Sequence, residues 1–107
     1  TDADDFFEAV NIGDVSWFRD NVIAKDNYNG GEKLMEINRL IGNLCNSDKT
    51  STADLCQIYN YINNKNLPVH RFTKMAGQKL KVKQFRQGND RIQGVEMDWI
   101  DDKDIFN

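Results

Sequence analysis

The spacing of apolar side chains changes once along these 107 residues, at Leu67-Pro68, and a chain with that break must build two kinds of structure. Before it, apolar residues recur three and four positions apart, which lines one face of a helix. After it they alternate with polar residues, as in a half-buried strand. Pro68 biases Leu67 away from helical backbone and marks the boundary. The expected fold class is α+β: four short helices as two helical hairpins over residues 1–66, followed by a C-terminal antiparallel β-hairpin over 67–101. Residues 102–107 are expected to fray, or to dock through Ile105 and Phe106. The length is sufficient for one domain, 1–107, to bury its own core.

The helical part divides at its turn residues. In "DDFFEAVNIGDVSWFRDNVI" acidic residues open the first helix, where a helix N-terminus favours them, and Phe6, Phe7, Ala9 and Val10 share a face. This helix should end near Ile12, with Gly13 as a left-handed exit and Asp14 capping a second helix that carries Val15, Phe18, Val22 and Ile23 beside Trp17. "KDNYNGG" reads as a turn, because Asp, Asn and Gly tolerate positive φ or bond to their own backbone. A third helix follows from Leu34, Ile37, Leu40, Ile41 and Leu44. "NSDKTST" interrupts it, and Thr52 is expected to cap a fourth helix bearing Leu55, Ile58, Tyr59 and Ile62.

In the β part, a two-residue loop at Gly88-Asn89 between "KLKVKQF" and "IQGVEMDWI" is a hairpin signal, and it sets Gln87 opposite Asp90. Counting outward, Phe85 faces Ile92, Val82 faces Val95, Leu80 faces Met97, Lys81 faces Glu96 and Lys79 faces Asp98. Each such pair contributes roughly 0.2–1 kcal/mol. Two mismatches remain: Arg86 lies opposite Arg91, and Lys83 faces only Gly94.

Charge lies in blocks. Residues 1–64 carry a net −6, residues 65–91 a net +7 and residues 92–107 a net −4, within a chain of net charge −3. Such blocks steer charged partners without dictating a fold. After the expected cross-strand pairing, Arg71, Lys74, Lys83, Arg86 and Arg91 remain as uncompensated positives. The opposing acidic surface comes from Asp2, Asp4, Asp5, Glu8, Asp14 and Asp20.

No assembled chemistry is legible. His70 is the one histidine, and no G-x-S-x-G elbow accompanies it. Cys45 and Cys56, eleven positions apart, belong to no Cys-x-x-Cys pair, so zinc is not expected. Glycines form no phosphate-cradling loop, and the carboxylates read as solvated charge or cross-strand partners. No catalytic residue, cofactor or metal is therefore expected. No apolar run approaches a membrane span, so the chain reads as soluble and cytoplasmic with two thiols; a Cys45–Cys56 disulfide would instead indicate a secreted or periplasmic protein.

The helical part resembles ankyrin-repeat sequence. "DFFEAVNIGDVSWFRDNV" is similar to the first helix, Gly-Asp turn and second helix of one repeat; "DNYNGGEKLMEINRLIGN" followed by "ADLCQIYNYINNKNLPV" is similar to a second. "GEKLME" stands where the family has its "TPLH" signature, residues 45–52 lengthen the inter-helix turn, and two units are present where about three stabilise a stack. The resemblance covers residues 5–70 and implies a protein-binding surface with no catalytic residue.

The function expected is a non-catalytic protein-protein interaction module that binds or inhibits a protein partner. Its candidate partner-binding residues are Lys83, Arg86, Arg91, Arg71 and Lys74 on the basic side and Asp5, Glu8, Asp14 and Asp20 on the acidic side. The alternative is single-stranded nucleic-acid or RNA binding by residues 65–91, with Phe72 and Phe85 as stacking rings, although a chain of pI near 5.0 is acidic for that task. A second alternative is a substrate-recognition piece of a larger enzyme or effector.

Overall fold

The computed structural model describes residues 2–24 and 31–101. In chain order its elements are α1 (Asp2–Ile12), α2 (Val15–Ala24), α3 (Gly31–Asn43), a 3-10 turn (Leu44–Asn46), β1 (Lys49–Ser51), α4 (Thr52–Asn63), α5 (Val69–Lys79), β2 (Lys83–Gln87) and β3 (Asp90–Glu96). The three strands form one antiparallel sheet in the order β1-β3-β2. The α+β class holds, with one helix and one strand more than the sequence reading expects. Of the turn expected at "KDNYNGG", only Gly31 falls among the described residues, where it opens α3; the expected tail at 102–107 lies outside them.

The helices are held together by a cluster of rings. Phe6, fully buried on α1, has Phe7 of its own helix, Trp17 and Phe18 of α2, Tyr59 of α4 and Phe72 of α5 around it, all edge-on with centroids 5.2–6.1 Å away. Edge-to-face geometry puts the positive rim of one ring against the negative face of another, worth about 0.5–1.5 kcal/mol per pair beyond the area buried. Ile37 and Ile41 of α3, with Leu55, Ile58 and Ile62 of α4, extend the same core.

The α1–α2 corner follows the local chemistry read from the sequence. Gly13 adopts φ +70°, and the Asp14 carboxylate accepts from the Trp17 N–H at 3.3 Å. Gly13 has a second duty. The segment after β3 runs alongside, with Ile100 N–H donating to Gly13 O at 2.7 Å and Val15 N–H donating to Ile100 O at 3.1 Å; a Cβ on Gly13 would lie 2.5 Å from Asp98 O. Trp99 completes this attachment by stacking obliquely on Phe18 at 5.6 Å and donating its indole N–H to Thr50 Oγ1 at 2.9 Å. Arg19 adds an ion pair to the mostly buried Asp101 at 2.9 Å.

The boundary at Pro68 and the length of the hairpin need correction. Pro68 does not separate helix from sheet: it caps α5 with extended backbone (φ −62°, ψ 150°), and its carbonyl accepts from Arg71 and Phe72. Proline suits that position because a helix start has no use for its missing N–H. Phe72, Ala76 and Leu80 are buried at helical spacing, and their burial overrides the alternation of the lysines that follow. The hairpin is consequently shorter than expected. Phe85/Ile92, Arg86/Arg91, Lys83/Gly94 and Gln87/Asp90 are opposed as counted, whereas Val82/Val95, Leu80/Met97, Lys81/Glu96 and Lys79/Asp98 lie outside the β2–β3 ladder.

Beyond Gly94, β3 remains bound on its other side. β1 aligns Lys49 with Glu96, Thr50 with Val95 and Ser51 with Gly94, and Met97 N–H donates to Asp48 O at 2.8 Å. Gly94 is required there, since a Cβ would collide with the Thr50 carbonyl. Ser51, rather than Thr52, caps α4 by accepting from Asp54 N–H at 3.1 Å. The Thr52 hydroxyl instead joins three elements, accepting from Thr73 Oγ1 at 2.9 Å and donating to Gln93 O at 3.3 Å.

Replacing Phe6 with Ala should lower the unfolding free energy by about 3–5 kcal/mol, read from urea denaturation followed by far-UV circular dichroism. A loss below about 1 kcal/mol would show that the ring cluster does not hold the helices. Gly13→Ala should cost more than the ~1–2 kcal/mol of a left-handed alanine, because the new methyl also displaces the strand-like segment at Asp98.

Candidate cationic docking surface

The hairpin has two unlike faces. Strand alternation places Gln84 and Arg86 of β2 with Arg91, Gln93 and Val95 of β3 on the side turned toward the helices. Val95 is buried there, while Gln84, Arg86, Arg91 and Gln93 are exposed, so this face is core at its base and polar at its tip. The outer face carries Lys83, Phe85 and Ile92. Lys49 of β1 lies over the Phe85 ring with Nζ 5.4 Å from the centroid, and Lys83 Nζ reaches Glu96 at 3.9 Å.

The structure thus neutralises part of the basic segment, with partners other than those expected. Lys79 pairs with Asp4 of α1 at 3.3 Å instead of Asp98, and Glu96 meets Lys83 instead of Lys81. Both pairs are about half exposed and contribute little. Among the described residues no carboxylate lies within ion-pair distance of Arg86 or Arg91. Two guanidinium groups directly opposite on one face repel, which costs stability where they stand.

Next to this pair, the hairpin and the first turns of α4 and α5 enclose a groove of about 550 Å³, lined in part by Arg91, Gln84, Gln87, Gln93, Val69 and Asp54. The amides of the glutamines donate and accept, and Arg91 supplies charge. Asp54 is the acidic member of the lining. Its own backbone N–H is already taken by Ser51.

The other candidate residues lie elsewhere. Arg71 and Lys74 are exposed on α5 and line a separate, more apolar concavity of about 510 Å³ with Leu67, His70, Met75 and Gln78. Asp5 and Glu8 are exposed on α1 and Asp20 on α2, whereas Asp14 is half-buried and occupied as a cap. The nine candidates therefore form no single surface; Arg86 and Arg91 are brought side by side across the hairpin, and Arg71 and Lys74 along α5. Phe72 is fully buried and cannot stack a base, and Phe85 is half-buried with Lys49 over its ring. Sequence reasoning missed Lys49 and the Gln84/Gln93 pair. The register counted outward from Gly88-Asn89 carried the latter signal.

Neither cysteine is in a disulfide; Cys45 is exposed and Cys56 buried. Burial pushes the Cys56 thiol above its ordinary pKa, against a weaker opposing pull from a hydrogen bond donated by Asn60 at 3.5 Å. Among the described residues no group of His, Cys, Asp and Glu is arranged to hold a metal, and no helix is long and apolar enough to cross a membrane. No protein-family model matches the chain, and no curated protein and no solved structure matches it either. The likeness to ankyrin repeats thus rests on the helical segments quoted above.

Two outcomes test this description. Arg86→Glu and Arg91→Glu should each raise the urea midpoint, by roughly 0.2–1 kcal/mol of stability, whereas the double variant, with Glu facing Glu, should return to the wild-type value. Strictly additive effects would contradict the cross-strand contact. At alkaline pH the folded chain keeps the Cys56 proton that the unfolded chain releases, so stability should decline once pH rises through the ordinary thiol range. Cys56→Ala should remove that component of the decline, seen by comparing urea midpoints between neutral pH and about pH 10.

Proposed function

We propose that this chain is a non-catalytic protein-protein interaction module that docks an acidic protein partner through the tip of its β2–β3 hairpin. The observation that carries the reading is the facing pair Arg86 and Arg91. Where Lys79 and Lys83 find carboxylates within the chain, these two guanidinium groups face each other, exposed, at the end of a short ribbon. A partner carboxylate placed between them would relieve their repulsion and accept hydrogen bonds from both, the strong charge-assisted kind. Affinity gained this way is also selective, because a basic partner is repelled.

The supporting features are of the same kind. The groove beside Arg91 offers amide donors and acceptors for a polar rim, and Asp5, Glu8 and Asp20 on the helical side supply charge of the opposite sign for orienting the encounter. Phosphates would suit the same arginines. Phe72 is buried, however, and Phe85 is half-buried with Lys49 over its ring, so that alternative has one partly occupied ring where single-strand binders use several stacking faces.

The test uses the full chain as bait against extract of its native host, with Arg86→Glu/Arg91→Glu as the control bait, followed by identification and purification of what the wild type alone retains. Binding of the purified partner should weaken at least about tenfold in the double variant and fall with added salt. A labelled single-stranded oligonucleotide should not be retained at low salt. Retention of the oligonucleotide, lost in the double variant, would favour the nucleic-acid reading; partner binding indifferent to the variant would remove the hairpin from the interface.

A further inference from the structure

We infer that the partner binds by strand addition: an extended acidic segment pairs antiparallel with the free edge of β2, and its side chains follow the order acidic, apolar, any residue, acidic. The inference rests on the hairpin being the docking element, and it names the chemistry that the hairpin would recognise.

The edge is defined by the hydrogen-bond alternation of the ladder. A two-residue turn at Gly88-Asn89 makes Gln87 and Asp90 a hydrogen-bonded pair, so Phe85/Ile92 and Lys83/Gly94 are the next ones along. Between them, Gln84 and Arg86 turn their N–H and C=O groups away from β3. The far side of β3 obeys the same count, since Val95 pairs with Thr50 and Met97 donates to Asp48. Among the described residues, therefore, β1 closes one side of β3 and β2 is left as an outer strand. Lys83, Gln84, Arg86 and Gln87 are all exposed. Two donors and two acceptors stand ready in a row, with no proline in the strand to interrupt it.

Charge decides what can use that row. A second copy pairing antiparallel about Phe85 would set Arg86 of each chain diagonally across from Arg86 of the other, with both Arg91 on the same face, and like charges on adjacent strands repel. Lysine and arginine at an edge are a common defence against self-association. The same defence admits an acidic strand. Opposite Arg86 an acidic side chain shares the face on which Arg91 also stands; opposite Lys83 another acidic side chain lies three positions away and so emerges on the other face, beside Lys83. The residue between them that faces Phe85 meets the half-buried Phe85 and Ile92 and should be apolar. Read from its own N-terminus, an antiparallel partner then runs acidic, apolar, any, acidic. Main-chain bonds supply affinity and alternate side chains supply selection, as in other edge-strand complexes.

The probe is the peptide acetyl-Thr-Glu-Val-Thr-Glu-Thr-amide, titrated into isotope-labelled full-length protein and followed by amide chemical shifts. Its control has the same sequence but carries N-methyl groups on the two residues that face Arg86 and Gln84, which keeps the charge and removes the strand-forming donors. The expected result is a shift and slowed exchange of the Gln84 and Arg86 amides with the first peptide, and binding about tenfold or more weaker with the second. Equal binding of both peptides would overturn strand addition while leaving an electrostatic docking surface in place. Binding of neither peptide, with the isolated partner still sensitive to Arg86→Glu/Arg91→Glu, would overturn it as well. Concentration-dependent protection of the same two amides without peptide would assign the edge to a second copy instead.

Discussion

Four of the helices meet around one ring. Phe6 touches aromatic side chains from α1, α2, α4 and α5 at once, in edge-on contacts that tolerate little displacement. Shape matters here more than bare area, because a close-packed interior loses contact energy for any gap that opens. Once the four helices are fixed, the positions of Phe18 on α2 and Thr50 before α4 are fixed too. Trp99 can then satisfy both its ring and its indole N–H only where it sits. The C-terminal segment is drawn to Gly13 by the same arrangement, and β3 is aligned by its two ends.

That anchoring explains why the hairpin has a wet, charged tip. Val95 and Trp99 hold the base of β3 against the core, and β1 covers the side that faces away from β2. The helix-facing side of the tip carries Gln84, Gln93, Arg86 and Arg91. The chain neutralises some of its cations at modest gain, Lys79 on α1 and Lys83 across the strand, and stacks Lys49 on Phe85. Two arginines opposed across the ladder are therefore a local cost. Costs of that kind are commonly retained where a partner relieves them.

How far the residues themselves announce this architecture depends on the range of the interaction involved. The exit at Gly13, the Asp14 cap and the hairpin register near Gly88-Asn89 are set by neighbours in sequence, so their reading matched the fold; the opposition of Arg86 and Arg91 came with the register. The helix at Val69–Lys79 was hidden because Phe72, Ala76 and Leu80 keep helical spacing while Lys79, Lys81 and Lys83 alternate, and only the packing of Phe72 against Phe6 decides between the two periods. β1 is three residues long and owes its existence to Thr50 receiving the Trp99 indole, a contact 49 positions apart. No local pattern encodes that. The separation of Arg71 and Lys74 from the hairpin pair follows from the same unseen helix.

The central claim is that a core organised by Phe6 holds up a ribbon whose outer edge is open. Residue-resolved amide hydrogen exchange of the free protein tests both halves together. The amides of Phe6, Tyr59 and Phe72 should exchange slowest, near the rate of global unfolding, and within β2 those of Lys83 and Phe85 should be protected while Gln84 and Arg86 exchange nearly as fast as an unfolded chain. Protection of Gln84 and Arg86 equal to that of Phe85, or exchange in α1 faster than in the hairpin, would contradict the account.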